Sequence, residues 1–255
     1  MKNIGIFVNE DKDQGFVFTN KLIERANKYG MKAEIATKSK YDLIISLGGD
    51  GTFLSAAMKF FSKDIPIAGI NLGNLGYLST GCKDELDEIL LNILDNNYTL
   101  EERTVLEACV GNKKLYALND VTISRANYGK MIKVDVFLDE KYMDTYNGDG
   151  VIIGTPTGST AYSLSAGGPI IEPVVDAMLI TPICSHSLVQ RPLIISSDRK
   201  VLVRAAVNHS FMLSTDGHKS VTCVKSAEIK KAEKKVKVIK FKDNFFFETL
   251  REKFM

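Results

Sequence analysis

Short apolar runs alternate with helix-period segments through the first hundred residues, and this alternation restricts the fold more than any other feature. "NIGIFV" (3–8), "KAEIAT" (32–37), "DLIISL" (42–47) and "IPIAGI" (65–70) have the length and composition of strands. Between them, Phe18, Leu22, Ile23 and Ala26 recur at helical spacing before a stop at Gly30. Phe53, Leu54, Ala57, Met58 and Phe61 do the same from about Thr52, and "KDELDEILLNILDN" (83–96) is strongly amphipathic. Such an order predicts a parallel sheet covered by helices on both sides.

After "NNYTLEERT" (96–104) the texture changes. Residues 104–147 and 193–224 hold short β-branched and aromatic runs, with turn pairs such as "DE" (139–140) and "NG" (147–148) between them. This half is predicted to be mainly antiparallel β. "KKAEKKVKVIKFK" (230–242) interleaves Lys with Val, Ile and Phe, as a strand with one wet face does. "NFFFETLREKF" (244–254) is a short helix whose phenylalanines need apolar cover.

A chain of 255 residues with a net charge of +2 has no general attraction to nucleic acid or to a membrane surface. Cys82, Cys109, Cys184 and Cys223 form no CxxC pair, so reduced thiols are expected rather than a zinc site or disulfide framework. His186, His209 and His218 lack metal-ligand spacing. No apolar run is long enough for a signal peptide or a bilayer span, and a cytoplasmic location is expected.

"LGGDGT" (47–52) stands where a parallel strand gives way to a helix, the edge at which open α/β sheets bind ligands. Gly48, Gly49 and Gly51 permit positive φ and close approach of a ligand to the main chain. Amides at the helix start attract phosphate. The purely structural alternative is that Asp50 caps the helix. G-x-G-x-x-G is absent, and in "GYLSTGCK" (76–83) Gly81 is followed by Cys82 rather than by the lysine of a P-loop. Two further stretches look like pocket walls. "YNGDGVIIGTPTGSTAYSLSAGGPI" (146–170) combines six glycines with hydroxyls and Asp149. "LND" (118–120) places Asn119 and Asp120 in an apolar run, where buried polar groups need partners.

"GGDGT", "NLGNLGYL" (71–78), "LND" and "DGVIIGTPTGSTAYSLSAGGPI" (149–170) together resemble the NAD kinase family. Lipid kinases of the diacylglycerol type share "GGDGT" and are the first rival. "TPTGSTAYSLSAGGPI" (155–170), the more specific stretch, speaks against them. A non-catalytic NAD(P)-binding sensor is the second rival.

The resemblance implies a Rossmann-like α/β domain over 1–98, a β-sandwich over 99–228 and a C-terminal segment, 229–255, returning to the first domain. It implies phosphoryl transfer from ATP, with polyphosphate as an alternative donor, to NAD in the presence of Mg²⁺ held mainly by nucleotide phosphates. Asp50 takes the role of catalytic carboxylate, flanked by Gly49 and Gly51 and by Asn71 and Tyr77 of "NLGNLGYL". Asn119 and Asp120 correspond to the pair on the ribose hydroxyls. Asn147 and Asp149 lie toward the nicotinamide half, with Asp149 commonly serving a neighbouring subunit, so a homodimer or homotetramer is expected. Thr160, Ala161, Tyr162 and Ser165 surround adenine, Asp216 lies near the site, and Lys130 is a cation for the donor. The chain departs from the family pattern at Asp120, usually Glu, and at Ser55 and Asn147, where relatives carry basic residues.

Overall fold

The computed structural model describes every residue except 39, 74–75, 127–130, 208, 242–245 and 255. The chain forms two units, Met1–Glu102 with Lys235–Met255, and Arg103–Lys234.

The sheet of the first unit runs Lys32–Ile35, Asn3–Val8, Leu43–Leu47, Ile67–Asn71, Val236–Lys240 and Thr99–Arg103, with Gly81–Cys82 also paired to Ile67–Asn71. Pairing is parallel from Lys32–Ile35 across to Val236–Lys240. Every residue of Leu43–Leu47 and Ile67–Asn71 is buried, as in strands covered on both faces. Helices Val17–Lys28 and Leu86–Leu94 set Leu22, Ala26, Ile89, Leu90 and Ile93 against Ile4, Ile6, Leu43, Ile45 and Ile70. Helix Asp50–Phe60 takes the other face. There Phe60 meets Phe7 edge-on with ring centroids 6.4 Å apart, and Phe53 lies over Gly69. Burying one such phenylalanine contributes about 1.5–3 kcal/mol. The α/β sheet covered on both sides is present as expected.

The second unit is two six-stranded sheets. One runs Lys141–Gly148, Ile132–Leu138, Val201–Ala205, Ser226–Lys231, Leu106–Val110 and Lys113–Ala117. The other runs Leu193–Ser196, Ala177–Ile183, Gly150–Gly154, Asp120–Arg125, Phe211–Thr215 and Lys219–Val224. All the pairings are antiparallel. Val134, Val136, Val203 and Ile229 of the first sheet share a core with Ile123, Val151, Ile153, Ile180 and Leu213 of the second, which makes a sandwich.

Two local expectations are corrected. "DE" does turn a hairpin, with Asp139 and Glu140 at φ +47° and +69°. "NG" does not: Asn147 pairs with Lys133 and Gly148 with Ile132 inside a strand. The chain leaves one sheet at Gly148 and enters the other at Gly150, so this stretch is a corner and cross-strand pairing overrides the local turn preference. "KKAEKKVKVIKFK" is not one strand either. Its first lysines end Ser226–Lys231 in the sandwich, and Val236–Lys240 belongs to the parallel sheet. Val236, Val238 and Ile239 are all buried there, so Val236–Lys240 has no simple wet face. Among the described residues no helix is long and apolar enough to cross a membrane.

Candidate active site

In the first unit the strand Leu43–Leu47 ends at Gly48, whose φ of +148° suits glycine alone and whose N–H donates to the Ile70 carbonyl at 3.0 Å. Gly49 is extended and helix Asp50–Phe60 begins at the next residue, two earlier than expected. Thr52 and Phe53 donate to the Gly49 carbonyl, so the amides of Asp50 and Gly51 are those such a helix start leaves for an anion. Gly49 and Gly51 have no positive φ, contrary to expectation. A Cβ at either would meet nothing within 4 Å, so what they leave is open space beside the main chain.

Asp50 does not cap its own helix. Its Oδ2 accepts the Tyr77 N–H and its Oδ1 the Leu78 N–H, each at 3.0 Å. A Cβ at position 76 would collide with this carboxylate, so glycine is required for the wrap. Each oxygen spends one lone pair on the backbone and keeps another. Asn71 is buried and shapes the same loop, its Oδ1 accepting the Gly73 N–H at 2.9 Å and its Nδ2 donating to Ser79 Oγ at 3.3 Å. Ser55 donates to the Gly51 carbonyl at 3.0 Å.

In the second unit Asp216 organises the "LND" stretch. At φ +50°, its carboxylate accepts the N–H groups of Leu118, Asn119 and Asp120 at 2.8, 2.8 and 3.2 Å. Burial pushes its pKa up and the three donors pull it back. Asp120 is 5% exposed, accepts the Thr122 hydroxyl at 2.9 Å, and has its pKa raised to about 6 by burial, opposed by Thr122 and helped by the Asp216 charge. Thr155 staples the following segment to the same place, its N–H on the Asn119 carbonyl at 2.8 Å and its hydroxyl on the Leu118 carbonyl at 2.6 Å. Gly158 donates to Thr155 Oγ1.

The hydroxyl-rich segment folds as a 3-10 turn, Thr157–Thr160, and a short helix, Tyr162–Ser165. Its buried hydroxyls serve the protein itself. Ser159 bonds to the Pro156 carbonyl and Ile171, and Ser163 to Thr181. Thr160 and Ala161 are half-buried, and Tyr162 and Ser165 are exposed, so only part of this segment is free to meet a ligand. The Tyr162 phenol is pushed up by burial and then by the charges of Cys184, Asp149 and Asp120. Asp149 pairs with Arg125 at 3.1 Å.

Residues 8–98 match the ATP-NAD kinase N-terminal domain, and residues 118–241 match the ATP-NAD kinase C-terminal domain. The chain belongs to the NAD kinase family. It is 39% identical over 284 aligned positions to the NAD kinase of Ruminiclostridium cellulolyticum, covering 99% of this chain and 98% of that one. To the NAD kinase of Carboxydothermus hydrogenoformans it is 42% identical over 272, covering 96% and 97%. The crystal structure of an NAD kinase from Archaeoglobus fulgidus in complex with ATP is similar at a TM-score of 0.83 and 26% identity, covering 98% of this chain and 97% of that one. Yeast NADH kinase complexed with NADH gives 0.87 at 24% identity, covering 99% and 87%, a likeness of fold. The NAD kinase N-terminal match contains "GGDGT" and "NLGNLGYL", and the C-terminal match contains "LND", "TPTGST" and "STDGH".

Within this NAD kinase fold, the first unit brings together Gly49, Asp50, Gly51, Asn71 and Tyr77. The second brings together Asn119, Asp120 and Asp216, whereas Asp149 lies opposite Arg125, at the other end of the strand Asp120–Arg125. Asn147 lies in its strand, with its carbonyl accepting the His186 N–H at 2.9 Å. Lys130 lies outside the described residues. Sequence reasoning missed Leu78, Thr122, Arg125 and Thr155. Thr155 was visible inside "TPTGST", but the partners of Leu78 and Arg125 lie 28 and 24 residues away and leave no local signal.

Proposed function

We propose that the chain transfers the γ-phosphoryl group of ATP to the 2′-hydroxyl of the adenosine ribose of NAD, giving NADP and ADP. The observation that carries this reading is the posture of Asp50 in an NAD kinase fold. Its carboxylate is held by two backbone N–H groups at the carboxyl end of a parallel strand, beside a helix start that favours phosphate. As the hydroxyl oxygen bonds to the γ-phosphorus, the bond to the ADP oxygen breaks and Asp50 accepts the hydroxyl proton. Phosphoryl transfer passes through a loose transition state, so alignment and charge neutralisation supply most of the acceleration. Mg²⁺ carried on the nucleotide's phosphates would supply charge neutralisation.

Asn119 and Asp120 are assigned to the adenosine ribose hydroxyls, Thr160, Ala161, Tyr162 and Ser165 to adenine, and Asn147 and Asp149 to the nicotinamide half. Asp216 spends its carboxylate on three backbone donors, which supports a positioning role rather than ligand contact. The reading extends to a homodimer or homotetramer in which Asp149 serves a neighbouring subunit. It also extends to a reducing cytoplasm, which suits four free thiols. The test is NADP formation by the purified protein with ATP, Mg²⁺ and NAD, followed by an NADP-specific dehydrogenase, with polyphosphate in parallel. No NADP from either donor rejects the assignment.

A further inference from the structure

The chemistry proposed above makes no use of the C-terminal helix Phe246–Phe254, yet this helix rests on the residue that grips Asp50. Tyr77, whose N–H donates to Asp50 Oδ2, has its ring 6.4 Å from that of Phe246, with planes inclined at 43°. On the same ring sits Lys253, its Nζ 4.3 Å from the centroid. Phe246 is braced in turn by Phe247, edge-on at 5.5 Å. Phe246, Leu250 and Lys253 follow the i, i+4, i+7 spacing that places them on one helix face.

The two donors to Asp50 are secured differently. Leu78 is 3% exposed, locked in the core with its carbonyl against Gly69. Tyr77 is only half-buried, and its hydroxyl is enclosed without a hydrogen bond among the described residues. No polar bond of its side chain therefore orients Tyr77 there. Its ring is held by Phe246 and by the Lys253 ammonium over the π face.

We infer that Phe246 and Lys253 are positioning residues for Asp50: by clamping the Tyr77 ring they aim the Tyr77 N–H at Oδ2 and set the angle at which the carboxylate receives the hydroxyl proton. The inference rests on the reading of Asp50 as proton acceptor. Neither Phe246 nor Lys253 need touch a nucleotide, so their loss acts on turnover and leaves substrate affinity alone.

The test measures kcat, KM for NAD and ATP, and melting temperature in full-length Lys253→Met, Lys253→Arg and Phe246→Ala. Lys253 is exposed, so its variants fold even if Phe246→Ala does not. In Lys253→Met kcat should fall about two- to fivefold, the factor corresponding to loss of one exposed cation–π contact. Both KM values and the melting temperature should hold, and Lys253→Arg should restore kcat. In an Asp50→Asn background Lys253→Met should cause no further loss. Unchanged kcat in Lys253→Met, with Asp50→Asn nearly inactive, overturns the inference and leaves the proposed function standing. A rise in KM in place of a fall in kcat overturns it too, because the helix would then be contacting substrate. Normal turnover in Asp50→Asn removes the reading on which it rests.

Discussion

Asp50 and Asp120 are the two carboxylates on which the proposed reaction leans, and the protein holds them in opposite ways. Asp50 stands at the end of a strand, half-buried, gripped by two main-chain donors from a neighbouring loop. Asp120 stands in a strand, 5% exposed, with one hydroxyl partner and a second carboxylate near enough to raise its pKa. Backbone donors fix direction and leave lone pairs open, which suits a group that must receive a proton. Burial instead makes the charge costly, which suits a group that awaits a hydroxyl donor from a ligand.

The sharpest way to break this contrast is Asp50→Asn, which keeps the shape and one acceptor but removes the base. Turnover should fall about 10²–10⁴-fold while the KM for NAD stays within experimental error. Gly76→Ala attacks the same carboxylate sterically, since the added methyl would collide with it. A displacement of roughly 1 Å at a reacting group can cost up to about 100-fold, so steady-state kinetics should show a large fall in kcat.

Asp120 gives a pH signature. Its carboxyl binds a proton more tightly in the folded chain, where its pKa is about 6, than in the unfolded chain, where it is 3.8. As pH rises from about 4 to about 6 the unfolded chain ionises first, so the ligand-free protein loses stability over that window and no more above it. Asp120→Asn should therefore raise stability at pH 7 by about 1–3 kcal/mol and leave it nearly unchanged at pH 4, as read by urea unfolding at both pH values. In the parent protein the apparent KM for NAD should rise below about pH 6, as the protonated group accepts hydroxyl donors less well. The smallest effect belongs to Arg125→Ala. The Arg125–Asp149 pair is about one-third exposed, so its loss should cost about 0.2–1 kcal/mol. A cost of several kcal/mol in thermal unfolding would show that Asp149 is a structural anchor.

Much of this arrangement could be read along the chain. The apolar run 42–47, three glycines and a helical period from Thr52 identify strand, turn and helix, because each signal is local. The "DE" hairpin was legible for the same reason. "NG" misled because its turn preference is weaker than the pairing of 147 and 148 with 133 and 132. The lysine-rich run misled because alternation does not say where a strand stops and the next sheet begins.

By itself the sequence determined the periodicities, the turn at Gly48, the residue types able to do the chemistry and the family that they resemble. Only the tertiary structure decided which backbone groups each carboxylate holds. Tyr77 and Leu78 reach Asp50 across 27 and 28 residues, and Asp216 reaches Leu118, Asn119 and Asp120 across 96 to 98. A hydrogen bond acts over about 3 Å and depends on direction, so whether a carboxylate is a cap, a clamp or an open acceptor is settled by which distant amides the folded chain brings to it.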